Sequence, residues 1–379
     1  MKRITSRQAG FIASGLMLTL VLGGGGYALA EEHAAQQAKV PAVAGPGTWW
    51  GGPPARQEQP TQPALPTQDT QSTQVSEPAT AAEERGVVLV ETVLGYEGAE
   101  AAGTGVVLTS NGYVLTNNHV VEGATQIRVV VAATGESYTA RVVGTDSTGD
   151  VAVLRLEDAS GLQTATIDND GGATVGDQVT AVGNAGGTGT LSAADGTVAA
   201  LEQSITTQSE GPAQGETLSG LIEVNADVVS GDSGGPLLDS EGEVVGIDTA
   251  ASSGSADITG YAVPIDDALR IAHAIMAGTA SDTVTIGYPA FLGVQVASQY
   301  DRLGGAAIAG VIDGTPAQQA GLTAGSTITA VDGTAITSAD GLTAALAGHQ
   351  PGDAITLTWT DAVGQQHSAR VVLAEGPAA

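Results

Sequence analysis

Residues Gly231-Asp-Ser-Gly-Gly-Pro236 are the stretch that says most about the fold and function of this chain. A serine hydroxyl is a weak nucleophile at neutral pH, so it needs a base within reach and donors that face the developing oxyanion. Glycines around Ser233 let the backbone N–H groups of Gly231, Asp232 and Ser233 turn toward one point. The run predicts a nucleophilic Ser233 with a backbone oxyanion hole. A glycine-rich turn is the simpler alternative in a chain with 54 glycines.

A histidine that follows a predicted β-hairpin is the best candidate for the base. Of the five histidines, His119 follows two apolar runs joined by Asn111-Gly112, which is the strongest short hairpin signal. We therefore expect His119 at the end of a strand, on a rigid scaffold. The alternative is a histidine that ends a strand and has no chemical role.

The third group of a catalytic triad is a carboxylate that orients the imidazole and stabilises its charged form. Asp150 precedes the apolar run Val151–Leu156, which predicts a buried strand, whereas Asp146 lies in a turn-like stretch. We predict Asp150 as the triad carboxylate, with a plain turn residue as the alternative. The chain order His119, Asp150, Ser233 is that of chymotrypsin-like proteases and not that of subtilisins or α/β-hydrolases.

Three strings around these residues, TNNHVV, GDVAVL and GDSGGPLL, occur together with FLGV and GTPAQQAGLTAGSTITAVDG further along the chain. In combination they resemble an HtrA/DegP-type serine protease with one C-terminal PDZ domain. The resemblance implies a mostly β fold, with a chymotrypsin-like double β-barrel protease domain followed by a PDZ domain. The triad would lie in the cleft between two six-stranded barrels. The expected limits are 86–278 for the protease domain and 286–375 for the PDZ domain, with 279–285 as a hinge.

In the PDZ part, Phe291, Leu292, Gly293 and Val294 resemble the loop whose backbone N–H groups hold the terminal carboxylate of a peptide. The stretch 338–346 is predicted to form the helix beside the peptide groove. The resulting prediction is an exported serine endopeptidase that cleaves misfolded or specific envelope proteins and captures peptide C-termini through the PDZ domain. The alternative is a non-catalytic PDZ peptide-binding or chaperone-like protein that keeps a protease fold.

Asp227 departs from the family pattern. It lies six positions before Ser233, where chymotrypsin-like enzymes have the floor of the primary specificity pocket. A carboxylate there would attract a Lys or Arg side chain of the substrate, whereas HtrA-type enzymes generally prefer small aliphatic residues. Two interpretations stay open: Asp227 contacts the substrate side chain, or it hydrogen-bonds nearby backbone and never meets substrate.

The N-terminal segment 1–30 predicts export to the extracytoplasmic side of the cell envelope. Three basic residues among the first seven precede an uncharged stretch from Ala9 to Ala30. This pattern is typical of a signal peptide, and it is also long enough for a membrane anchor because roughly 18 apolar residues span a bilayer. A single-pass anchor is favoured, with secretion after cleavage as the alternative. Residues 31–85, rich in Pro, Gln, Thr and Ala, predict a disordered linker.

Composition limits the partners. The formal net charge of -29 argues against nucleic acid, which calls for basic patches. The chain has no cysteine, so an exported fold must rest on its apolar cores without disulfides. No metal-ligand or phosphate-loop pattern is recognised, so neither metal nor cofactor is predicted. The oligomeric state stays open. Family members often trimerise through aromatic contacts near the start of the protease domain, and the two phenylalanines, Phe11 and Phe291, lie elsewhere.

Overall fold

In the computed structural model, residues 76–206, 217–251, 259–297 and 304–378 are described. The predicted signal or anchor segment 1–30 and the predicted linker up to residue 75 lie outside these ranges. None of the helices in the described ranges is long and apolar enough to cross a membrane. The anchor and the cleaved signal therefore both stay predictions.

Strands dominate the described part, and six of them close into a first β-barrel. After a short strand β1 (Glu77–Pro78), this barrel consists of β2 (Val87–Leu94), β3 (Ala99–Val107), β4 (Tyr113–Thr116), β5 (Gln126–Val131), β6 (Ser137–Asp146) and β7 (Val151–Leu156). The strands pair in the order β6-β5-β2-β3-β4-β7, and pairing of β6 with β7 closes the ring. A short helix, α1 (Asn118–Val121), follows β4.

Alternation of apolar and polar residues explains these strands. Along β5 the buried side chains are Ile127, Val129 and Val131, and the residues between them are exposed or half-buried. This is the two-residue period that a half-buried strand requires. Between β3 and β4 the predicted Asn111-Gly112 turn is present, and its glycine has a φ of +100°, which residues with a Cβ rarely adopt. The hairpin prediction is therefore confirmed.

A second barrel follows the first. Its strands are β8 (Gln178–Gly183), β9 (Ser192–Thr206), β10 (Thr217–Val224), β11 (Pro236–Leu238), β12 (Val244–Ala251) and β13 (Gly260–Pro264). They pair in the order β9-β10-β13-β12-β11-β8, and β8 also pairs with β9. One apolar core is shared between the barrels, because Leu115 and Val153 of the first belong to the same cluster as Ile247 and Tyr261 of the second.

Helix α2 (Ile265–Met276) packs against strands of both barrels. Acidic residues in its first turn, Asp266 and Asp267, interact favourably with the helix dipole. Its buried residues recur at helical spacing, as an amphipathic helix requires: they are Ile265, Ala268, Ile271, Ala272 and Ile275.

Two segments predicted to be flexible belong to the barrel sheets instead. β1 pairs with β9, so the predicted disordered linker is wrong for residues 77 and 78. β14 (Val284–Ile286) pairs with β6, so the predicted hinge is wrong for its last residues. Both predictions relied on local composition, which does not reveal backbone pairing with a strand far away in the sequence.

The C-terminal part forms a separate sheet with its own apolar core. Its elements are β15 (Ala290–Phe291), β16 (Val294–Val296), β17 (Ala306–Val311), α3 (Pro316–Ala320), β18 (Thr327–Val331), β19 (Thr334–Ala335), α4 (Ala339–Ala347), β20 (Ala354–Thr360), β21 (Gln366–Val372) and β22 (Ala374–Glu375). The sheet order is β16-β17-β18-β20-β21, β19 pairs with β18, and β15 pairs with β22. Ser338 caps α4 by accepting a hydrogen bond from Gly341 N, so the predicted helix begins one residue later than expected. The predicted fold class, a double barrel followed by a small mostly β domain, is confirmed.

Candidate active site

The predicted base and the predicted carboxylate meet just beyond β4. His119 is the second residue of α1, one turn past the strand end at which it was expected. Its Nδ1 lies 2.9 Å from Oδ2 and 3.1 Å from Oδ1 of Asp150. Its backbone N donates to the same Oδ1 at 3.1 Å. A carboxylate that faces Nδ1 leaves Nε2 as the ring atom that can exchange a proton with a nucleophile.

Strand pairing and an unusual backbone conformation bring Asp150 to this position. β4 and β7 pair in a register that puts Thr116 opposite Ala152, so the residues just beyond these two are neighbours. Asp150 has a φ of +50°, in the left-handed region that few non-glycine residues adopt. Asn117 Nδ2 donates to its carbonyl oxygen at 2.9 Å. Conformations of this kind persist where the surroundings hold them and are frequent at functional sites.

Thr249 on β12 connects Ser233 to this pair, and it was not predicted. Its hydroxyl donates a short hydrogen bond to Oδ2 of Asp150. Its backbone carbonyl accepts a hydrogen bond from Ser233 Oγ at 3.2 Å. Asp150 therefore has donors on both oxygens although only 3% of it is exposed. The sequence holds no signal for Thr249, because Asp150 is 99 residues away along the chain.

The loop before Ser233 has the conformation that an oxyanion hole needs. Gly231 has a φ of +100°, and a Cβ there would collide with the carbonyl oxygen of Asn184. Thr104 holds the two segments together, because its hydroxyl accepts from Asn184 N at 2.9 Å and donates to Gly231 O at 2.8 Å. Within the described ranges, the N–H groups of Gly231 and Ser233 have no acceptor, so both can donate to an oxyanion. Thr104 and Asn184 were not predicted, since each acts on a residue distant in sequence.

Asp232 is not an oxyanion donor, and its inclusion in the predicted hole is wrong. Its backbone N donates to the carbonyl oxygen of Val229 at 3.1 Å. The prediction counted three consecutive amides, but successive N–H groups in a tight turn point in different directions. Asp232 instead stabilises the loop, because its Oδ2 accepts a hydrogen bond from Val229 N at 2.9 Å.

The Asp232 carboxyl group, behind the serine loop, lies within electrostatic reach of two others, those of Asp227 and Asp248. Asp248 is fully buried, and neither of its carboxylate oxygens has a hydrogen-bond partner among the described residues. In Asp227 and in Asp232, the Oδ1 atom is buried without a hydrogen-bond partner among the described residues. Burial, with a smaller contribution from the charge of Asp227, raises the pKa of Asp232 to about 7. Burial also raises the pKa of Asp248 well above its usual range, with a further contribution from Asp232.

The predicted carboxylate-binding loop leads into an edge strand. Among the described strands, β16 pairs with β17 alone, so its other edge can accept an added peptide strand. Leu292 is buried, and Gly293 has a φ of +83° with its carbonyl oxygen bound by Ile312 N at 3.0 Å. Phe291 stacks on Tyr96 of the first barrel, with ring centroids 5.3 Å apart. The loop is therefore attached to the protease domain at its first residue.

A groove of about 750 Å³ lies beside the serine loop. Its lining includes Asn184 and Gly187, which contact the serine loop, and Arg141 and Tyr288. Its volume is within the range of ligand-binding clefts.

One group of acidic side chains brings oxygens close together on the second barrel. Carboxylate oxygens of Asp168, Asp239 and Glu243 lie within 4.8 Å of one another. Asp168 and Asp239 each accept hydrogen bonds from backbone N–H groups of their own loops, which accounts for their orientation. Burial and the neighbouring charges raise the pKa of Glu243. We assign no metal to this group.

Comparisons with known proteins identify two domain families. Residues 103–247 match the model of a trypsin-like peptidase domain, and residues 290–360 match that of a PDZ domain. These matches lie inside the expected domains, whose outer limits stay predictions.

Three relatives illustrate the similarity. Serine protease PepD of Mycobacterium tuberculosis is 33% identical over 387 residues, which cover 97% of this chain and 78% of PepD. The periplasmic pH-dependent serine endoprotease DegQ of Escherichia coli is 32% identical over 68% of this chain and 56% of DegQ, so the chain spans little more than half of that relative. The solved HtrA-type protease AlgW with tripeptide has a TM-score of 0.46 and 28% identity, over 79% of this chain and 98% of that one.

Proposed function

We propose that this chain, which belongs to the HtrA/DegP family of serine proteases, hydrolyses peptide bonds with Ser233, His119 and Asp150 as a catalytic triad. The chain combines a trypsin-like peptidase domain with a PDZ domain. The observation that carries this proposal is the pair of contacts between His119 Nδ1 and the Asp150 carboxylate. They hold the imidazole in the tautomer whose Nε2 can accept the serine proton.

The proposed reaction has two steps. Ser233 Oγ gives its proton to His119 Nε2 and attacks the substrate carbonyl, and the N–H groups of Gly231 and Ser233 stabilise the oxyanion. When the tetrahedral intermediate collapses, His119 protonates the leaving amine and an acyl-enzyme remains. Water, deprotonated by His119, then releases the acid and restores the serine. To react, the serine hydroxyl must exchange its hydrogen bond with the Thr249 carbonyl for one with His119.

The test of this proposal uses two readouts of the serine. Wild-type protein should digest casein and react covalently with a fluorophosphonate probe, and Ser233→Ala should do neither. Thr109→Ala, a hydroxyl removed from the hairpin loop of the first barrel, is a matched control and should retain both. Absent activity in the wild type, or equal activity in Ser233→Ala, would leave the non-catalytic peptide-binding alternative.

The proposed substrates are polypeptides of the cell envelope, misfolded or specific. Relatives named periplasmic support the extracytoplasmic location. The free edge of β16 supports capture of a peptide as an added strand, with its terminal carboxylate at Leu292, Gly293 and Val294. Attachment to a membrane through segment 1–30 remains part of the proposal, with a cleaved signal as its alternative.

The proposed side-chain preference at the cleavage site is for Lys or Arg. The interpretation of Asp227 as a backbone-binding residue requires partners for its carboxylate, yet its Oδ1 is buried without one among the described residues. Asp248 adds a second unpartnered carboxyl behind the same loop. A cationic side chain would satisfy such groups, whereas an aliphatic one would leave them buried and unpaired.

Matched peptides that differ only at this position measure the preference. We expect cleavage after Arg to exceed cleavage after citrulline, which has nearly the same shape without charge, and after Val. Asp227→Asn should reduce the Arg rate about tenfold or more while the Val rate stays the same, since a charged hydrogen bond is worth about 1.5–3 kcal/mol. Equal or faster cleavage after Val by the wild type contradicts the preference and leaves the triad untouched.

A further inference from the structure

The stretch Ala374–Ala378, here called the tail segment, leaves the PDZ domain and binds the first barrel. Ala378 N donates to Ala124 O at 3.0 Å, and Gly123 N donates to Ala378 O at 2.8 Å. Ala378 is 2% exposed and belongs to the apolar core of that barrel. A residue from the second domain thus completes the core of the first.

The tail segment binds where the helix of the proposed base ends. His119 lies in α1, and Gly123 and Ala124 form the turn that leads from α1 to β5. This turn is closed by hydrogen bonds from Glu122 N to Asn118 O and from Ala124 N to Val121 O. Gly123 has a φ of +75°, a conformation that favours glycine. Both partners of Ala378 are therefore within five residues of the imidazole.

The other end of the tail segment is held by the predicted peptide-binding loop. β22 pairs with β15 so that Ala374 is opposite Phe291, the first residue of that loop. Gly376 N donates to Pro289 O at 2.9 Å. An unbroken series of backbone contacts therefore joins the loop, the tail segment and the end of α1.

Side chains fix the same junction. Arg141 forms two hydrogen bonds with Glu375, at 2.8 and 3.0 Å, and its guanidinium lies 5.2 Å from the centre of the Tyr288 ring. Tyr288 Oη accepts a hydrogen bond from Val142 N at 3.2 Å. Because β14 also pairs with β6, the described junction is an ordered contact between the domains rather than a hinge.

We propose that the tail segment positions His119: by pairing with Gly123 and Ala124 it holds the end of α1, and so the imidazole, in register with Asp150 and Ser233. The proposal rests on the assignment of His119 as the base. Its physical reason is the shortness of α1, which has four residues and too few internal hydrogen bonds to hold its own orientation.

The decisive variant is Ala378→Pro, which removes the N–H that Ala124 O accepts. Its substrate is a short reporter peptide with an amidated C-terminus, which cannot use the carboxylate-binding loop. We expect kcat to fall about tenfold or more with KM within twofold, because small displacements of catalytic groups cost large factors in rate. The acid limb of the pH profile of kcat/KM, which reports the pKa of the base in free enzyme, should also shift. A purely structural role for the segment would not move that limb.

The matched control is Glu375→Gln, which removes the ion pair with Arg141 in the same segment and leaves the backbone pairing intact. Exposed ion pairs contribute little, so kcat should stay within twofold. Ala378→Leu, whose larger side chain does not fit the buried site and so displaces the segment from Gly123 and Ala124, should move kcat and the acid limb in the same direction as Ala378→Pro. If Ala378→Pro does not fold, Ala378→Leu decides. Folded variants with unchanged kcat and an unchanged acid limb would overturn the positioning role, whereas wild-type protein that fails to react with fluorophosphonate would overturn the proposed function instead.

Discussion

Two buried aspartates near Ser233, Asp150 in the first barrel and Asp248 in the second, have opposite hydrogen-bonding surroundings. The carboxyl group of Asp150, in the first barrel, is contacted by Nδ1 and the backbone N of His119 and by the Thr249 hydroxyl. Asp248, under the serine loop of the second barrel, has no hydrogen-bond partner for either oxygen among the described residues. The same residue type is thus supplied with donors on one side and deprived of them on the other.

The two surroundings differ in how well they can accommodate a negative charge. Donors around Asp150 satisfy both of its carboxyl oxygens and fix the group beside the imidazole, as the proposed catalytic role requires. Under the serine loop the charged form is disfavoured, because burial raises the pKa of Asp232 to about 7 and that of Asp248 well above its usual range. Charge therefore aids catalysis on the first side and opposes folding on the second.

The largest effect is expected for Asp150→Asn, which replaces the carboxyl group that accepts hydrogen bonds from His119 and Thr249 by an amide. An amide at this position favours the wrong imidazole tautomer, so kcat should fall by about 10⁴ with KM little changed. Steady-state cleavage of the Arg reporter peptide measures this. A loss below tenfold would mean that Asp150 does not orient the base.

Asp232→Asn replaces a carboxyl group by an amide behind the serine loop of the second barrel. The pKa of Asp232 is raised on folding, from 3.8 to about 7, so its contribution to the free energy of unfolding is greatest below pH 4 and is lost as the pH rises toward 7. At about 1.36 kcal/mol per pKa unit, the loss amounts to at most about 4 kcal/mol.

Asparagine does not titrate, so Asp232→Asn should gain stability relative to wild type as the pH rises. Urea unfolding at pH 5 and at pH 8 measures the free energy of unfolding of Asp232→Asn and of wild type. The value for the variant minus the value for wild type should be larger at pH 8 than at pH 5. Asp266→Asn, at an exposed position on α2, serves as the control and should show no such trend. A difference independent of pH would contradict the raised pKa.

Thr249→Val tests the residue that contacts both Asp150 and Ser233. Valine has the shape of threonine but cannot donate to Asp150, while its backbone carbonyl still accepts from Ser233. Losing one donor to a buried carboxylate costs about 1.5–3 kcal/mol, so kcat should fall about tenfold or somewhat more. Thr145→Val, at a buried position on β6, is a control for the loss of a buried hydroxyl outside the site. Equal effects of the two variants on kcat would remove Thr249 from the proposed catalytic arrangement.

Much of the fold was predictable because its signals are local. The Asn111-Gly112 turn, the alternation along β5 and the acidic start of α2 follow from φ/ψ preferences and residue periods within a few positions. The chain order of His119, Asp150 and Ser233 indicated the protease class on the same basis. Boundaries were less predictable: residues 77–78 and 284–286 have linker-like surroundings in sequence and nevertheless pair with distant strands.

Local sequence patterns were enough to identify the candidate groups: a serine between glycines, a histidine after a hairpin, a carboxylate before a buried strand, and the loop predicted to bind a peptide terminus. Tertiary structure alone decided how they are held. Thr249, Thr104 and the tail segment act across 99, 127 and more than 200 residues of chain, and only barrel closure and domain contact bring such residues within hydrogen-bond distance. The physical reason is that hydrogen bonds and charges act over a few ångströms of space, whereas sequence patterns report only neighbours along the backbone.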